Sequence, residues 1–166
     1  LVAVAGRINA SQADEIAFMQ NWLRERGENV PDPSMHRGMD MKGTMAGMAS
    51  PADLAKLATL RGTEFDRLFL NLMITHHDGA LKMVDALVAT PGSAHDPVLF
   101  QFISDVKTEQ KAEIERMSAA REALAGVTQQ VDTARGTMRR LGEQRAELPG
   151  GDALAIDAAY TYGRNT

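Results

Sequence analysis

The chain has 166 residues, no cysteine, few aromatics and a formal net charge of −4. That length supports one domain with a real core, or a domain with an appendage, and the missing cysteines remove thiolate chemistry, disulfides and zinc-finger sites. The acidic balance excludes a nucleic-acid partner, and no apolar run approaches the roughly 18–20 residues that span a bilayer.

Strand signals are almost absent, and helix punctuation is clear. Apolar positions Leu1, Ala5, Ile8, Ile16, Met19 and Leu23 predict a helix that ends near Gly27. Its start at Leu1, inside the apolar pattern and without a cap, reads as a processed protein or an excised fragment. Residues 28–50 read as a loop with three glycines and two prolines. Ser50-Pro51-Ala52-Asp53 is a helix start: a capping Ser, Pro at the first helical position and an acid in the first turn. That helix stops at Gly62. Thr63 is then expected to cap the next helix, with Asp66 three residues on as a short-armed capping box. This third helix should run to about Ala89, before Thr90-Pro91-Gly92.

Asp96-Pro97 opens another helix, expected to reach Leu124. Beyond Gly126, Val127, Val131, Ala134, Met138, Leu141, Arg145 and Leu148 alternate steps of four and three, a heptad seam broken by Arg145. The arginines here, Arg135, Arg139, Arg140 and Arg145, are interleaved with acids and read as a solvated face. The expected organisation is a helical domain over residues 1–125 carrying the loop 28–50, a heptad-like C-terminal helix over 126–149, and a tail over 150–166. The heptad helix either continues the one before it or packs separately.

Helical spacing puts Met73, His76, His77, Ala80 and Met83 largely on one side of the third helix, with Ala80 small enough to leave room beside the imidazoles. Imidazole with thioether is the ligand set of a soft-to-borderline metal, copper above all. The bland reading makes the methionines core and the histidines surface. A second concentration lies in the loop, where Met35, His36, Met39, Met41, Met45 and Met48 fall within fourteen positions. Thioethers are neutral ligands that suit Cu(I) over Cu(II) and need no deprotonation. The same methionines could also fold back as adaptable gap fillers.

Gln12, Glu15, Ile16 and Met19 recur at the same spacing as Gln110, Glu113, Ile114 and Met117, with Ile8 and Val106 extending the match. A duplicated two-helix unit is one explanation, and by that logic a first His-His helix belongs before Leu1. No Glu-x-x-His occurs, which argues against a carboxylate-bridged di-iron bundle. No His-Glu-x-x-His or Gly-x-Ser-x-Gly occurs either, so zinc-protease and triad chemistry have no foothold. Glu113 is open to two readings, an acid that orients an imidazole from behind or a plain helix-surface residue. His95, between Ala94 and Asp96-Pro97, reads as an exposed turn residue.

Phe65-Asp66, Phe69, Met73-Ile74, His76-His77, Ala80 and Met83 resemble the signature of the family called domain of unknown function 305. Gln110, Glu113-Ile114 and Met117 resemble its following helix. Gln12, Glu15-Ile16, Met19-Gln20 and Trp22-Leu23 resemble an earlier copy of that helix, and Met45, Gly47 and Met48 its linker. The likeness covers about residues 8–124. It implies an all-α, ferritin-like up-down helical bundle, exported to the periplasm or cell surface, to which the heptad pattern beyond the likeness adds a long C-terminal helix. It further implies non-catalytic copper binding through His76, His77, Met73, Met83 and the loop residues, with Glu113 and Met117 behind them. The domain would then lack its first His-His helix, leaving a groove for residues 127–148 or a neighbouring chain to cover. Two rivals stay open: an oligomerising helical module without metal, and a di-metal redox enzyme.

Overall fold

The computed structural model describes residues 1–30 and 45–147, and these form four α-helices. They are α1 (Val2–Glu25), α2 (Pro51–Thr59), α3 (Gly62–Ala89) and α4 (Pro97–Glu147). No strand occurs among the described residues, so the all-α expectation holds. The chain divides into two units, Leu1–Arg121 and Glu122–Thr166. In the second, the described residues continue α4 through Gly126 and Gly136 to Glu147. The tail, and Leu148 of the heptad, lie outside the described residues.

Local chemistry explains most helix ends. Ser50 Oγ accepts from the Asp53 amide at 3.1 Å, and Pro51 needs no donor at the first helical position. Asp96 Oδ1 accepts from the amides of Val98 and Leu99 at 2.9 and 3.0 Å, which starts α4. The expected Thr63 cap does not form. Gly62, with φ +58°, admits the chain to α3 from an extended Arg61 that makes no side-chain cap, and Thr63 falls inside the first turn.

Three long helices build the first unit. Stacked rings of Phe18 and Phe102, 4.0 Å between centroids, pair the end of α1 with the start of α4. At the same end Arg26 lies 3.9 Å over the Trp22 ring and pairs with Asp96. Further along, Val4 and Ile8 meet Met117 and Ala120, so α1 and α4 run antiparallel. Contacts of Asp85 with Lys107, His77 with Glu113 and Asn71 with Arg121 make α3 antiparallel to α4 as well.

The core is small and aliphatic. Ile8, Leu70 and Met117 are buried together, with Val4, Met73, Ile74 and Ala120 packed around them. Each fully buried side chain of this size contributes about 1.5–3 kcal/mol. Thus α3 lies against both α1 and α4, and this fixes which face of α3 is sealed. Leu70, Ile74 and His77 follow one another at steps of four and three along that face.

Candidate functional site

The two adjacent histidines end up in different surroundings. His77 is completely buried, and its Nδ1 donates to the Met73 carbonyl at 2.8 Å. Its Nε2 stands 2.5 Å from Glu113 Oε2, itself buried. A carbonyl oxygen can only accept, so Nδ1 carries a proton, and a second proton lies between imidazole and carboxylate. Both ring nitrogens are engaged, and neither directs a lone pair to open space.

His76 lies about 100° round the helix from His77. Its ring centroid is 6.0 Å from that of His77, with the planes at 79°. The ring is half-buried and shares a hydrogen bond with the Gly47 backbone. Desolvation holds its pKa below the usual histidine value of 6.5, and the neighbouring His77 adds to the shift. The Gly47 bond opposes both without cancelling them. Lowering the pKa keeps the ring neutral, the form that can donate a lone pair to a metal.

The segment before α2 is pressed onto α3 at this point. Gly47 has φ +79°, and a Cβ on it would stand 2.9 Å from Gly79 Cα and 3.1 Å from His76 Cα. A Cβ on Gly79 would stand 2.8 Å from Gly47 Cα and closer still to the Ala46 carbonyl. Two glycines therefore allow backbone to touch backbone where any side chain would hold them apart. Met45 and Met48, 44% and 47% exposed, stand two residues before and one residue after Gly47 in the chain.

The remaining sequence candidates separate. Met73 packs against the core, and Met117 is fully buried beneath it. Met83, two turns beyond His76 on α3, is 42% exposed. His95 is exposed. Met35, His36, Met39 and Met41 lie outside the described residues. Among the described residues no three imidazole or carboxylate groups converge to hold a metal ion. An imidazole and a thioether are soft-to-borderline donors, which suit copper better than a hard cation.

Comparison with known proteins agrees with this helical framework. The sequence model of the family described as Domain of unknown function (DUF305) matches residues 1–121. The chain belongs to that family. Two solved DUF305 structures are similar to it. One is a DUF305 fragment from Deinococcus radiodurans, 28% identical, with a TM-score of 0.61 over 73% of this chain and 74% of that one. The other, described as a candidate secreted DUF305 protein of Streptomyces coelicolor, is 27% identical, with a TM-score of 0.60 over 74% of each chain. No curated protein matches. Among the described residues of this DUF305 chain, no helix is long and apolar enough to cross a membrane.

Sequence reasoning missed one feature of the DUF305 site. The close approach beside the histidines is made at Gly79, next to the Ala80 that spacing had singled out. A glycine in mid-helix costs about 1 kcal/mol relative to alanine, so its presence after His-His-Asp was itself a signal of backbone contact.

Proposed function

We propose that this domain binds copper non-catalytically, favouring Cu(I) over Cu(II), through His76 and neighbouring thioethers. The observation that carries the reading is the Gly47–Gly79 contact, which brings the Met45–Met48 segment against the helix that bears His76. Its imidazole is held neutral by burial, and Met45, Met48 and Met83 are accessible. Thioether ligation suits a monovalent soft ion and persists where protons displace other ligands. His77, closed between Met73 and Glu113, supports the helix at this point, and Met117 packs in the core beneath it. Met35, His36, Met39 and Met41 belong to the same chain segment as Met45 and extend the donor supply. Copper buffering outside the cytoplasm is the role we infer, in keeping with the description of the Streptomyces relative as a candidate secreted protein.

The test is competition for Cu(I) against a chromophoric chelator, using the wild type, His76→Ala and Met45→Leu/Met48→Leu. Both variants are expected to lose at least ten-fold in affinity while retaining their helical circular dichroism. Equal affinity in all three would remove this site. No stoichiometric uptake by the wild type would leave an oligomerising helical module as the function.

A further inference from the structure

The apolar spacing of α4, a helix of 51 residues, does not stop where the core does. Met117 and Ala120 pack with Ile8 and Leu70. The same alternation of threes and fours then continues through Leu124, Val127, Val131, Ala134, Met138 and Leu141. Val127 and Val131 are 58% and 42% exposed, and Ala134 is exposed as well. The hydroxyls of Thr128, Thr133 and Thr137 donate to carbonyls of this helix, and Asp132–Arg135 and Arg139–Glu143 pair along it. Gly126, Gly136 and Gly142 each cost about 1 kcal/mol of helix propensity, so packing of the apolar stripe has to hold this stretch helical.

We propose that residues 124–145 are the interface of an antiparallel dimer, a two-stranded coiled coil with a second copy of this chain. The seam is matched to itself, because positions 127, 131, 134, 138, 141 and 145 are symmetric about residue 136. Antiparallel pairing about that point sets Ala134 against Met138, Val131 against Leu141 and Val127 against Arg145 of the second copy. Each layer joins a smaller side chain to a longer one, which fills the seam evenly. At both ends the Arg145 stem lies on Val127 while its guanidinium reaches water. A parallel pair instead stacks Ala134 on Ala134 beside Met138 on Met138, and sets Arg145 against Arg145.

Charge does not oppose this pairing. Residues 122–147 hold four acids and four arginines, whereas the whole chain carries a net −4. Arg135, which flanks the centre, has Asp132 at 3.8 Å within its own helix. None of the seam residues belongs to the core around Met117 or to the segment that bears His76, so the dimer needs no metal and stands apart from copper binding.

Sedimentation equilibrium of the intact chain in chelator-treated buffer tests the pairing. The wild type is expected to rise with concentration from 18.0 kDa to twice that mass. Met138→Glu sets a carboxylate against Ala134 and is expected to weaken the dimer at least ten-fold. Orientation is read by diamide oxidation, which the absence of native cysteine makes selective. An equal mixture of Ala134→Cys and Met138→Cys chains is expected to give the crossed disulfide at least ten-fold over either symmetric one. A mass fixed at 18.0 kDa up to about 100 μM overturns the proposal. A dimer unaffected by Met138→Glu would mark pairing elsewhere on the chain and overturn it too. So would a crossed disulfide no more abundant than the symmetric ones.

Discussion

His77 on α3 and Glu113 on α4 meet in the interior with 2.5 Å between Nε2 and Oε2 and almost no exposure on either side. The pair ties the two helices midway between the Asp85–Lys107 and Asn71–Arg121 contacts. Because the other ring nitrogen is fixed on the Met73 carbonyl, the imidazole cannot rotate without losing a hydrogen bond.

Removing either member of the pair leaves the other buried without its partner. His77→Ala and Glu113→Ala are each expected to cost about 3–5 kcal/mol. Glu113→Gln, which keeps a hydrogen-bonding group opposite Nε2, should cost less. Urea denaturation of the three variants checks the order, and a Glu113→Gln loss as large as that of Glu113→Ala would contradict it.

The backbone contact at Gly79 predicts a steric result. A methyl group there meets Gly47 Cα and the Ala46 carbonyl, neither of which is a flexible side-chain tip. Gly79→Ala should therefore displace the 45–48 segment and cost about 1–3 kcal/mol, despite alanine's better helix propensity. Amide hydrogen exchange around Gly47 should rise in the variant, and unchanged protection would refute the contact.

Methionine truncations should divide by position. Met117→Ala opens a cavity in the core and is expected to cost about 2–5 kcal/mol. Met83→Ala, at a half-exposed position, should change stability by less than about 0.5 kcal/mol. Thermal unfolding of the two variants in metal-free buffer makes the comparison.

Two groups give pH dependences of opposite sign. The folded pKa of Glu15 lies above 4.5, chiefly through desolvation, so the fold binds its proton more tightly than the unfolded chain does. That contribution is fully present below about pH 4.5 and is lost as the pH rises through the folded value. Glu15→Gln should therefore stabilise the protein at pH 7 relative to the wild type, with the gain shrinking toward pH 4. His76, with a pKa below 6.5, is disfavoured as a cation in the fold, so its contribution falls as the pH drops below 6.5. Its ring should titrate below 6.5 by proton NMR, and a midpoint above 6.5 would contradict the half-buried placement.

Helix limits were readable where the chain carries explicit signals, as at Ser50-Pro51 and Asp96-Pro97. Thr63 misled because a positive φ at Gly62 replaced the capping it offered. The division between the histidines was harder to read. Neighbours on a helix are only about 100° apart, and which of them enters the core depends on where α4 comes to lie. The steps from Leu70 through Ile74 to His77 favour His77 in retrospect, but the same stretch also reads as one face with Met73, His76 and Met83. A mid-helix Gly79 signals that some backbone comes close, but that the partner is Gly47, 32 residues earlier, is a tertiary fact that no local pattern encodes.

The contact between Gly47 and Gly79 also has a thermodynamic consequence. It holds the segment that carries Met45 and Met48 against the helix turn that carries His76, so the entropy of closing the intervening chain is spent on folding and not on capture of a ligand. Donors joined through such a tether act at an effective concentration on the order of millimolar or higher. Affinity for a shared ligand can then come from the tether itself, while the methionine side chains stay free to adjust their geometry around it.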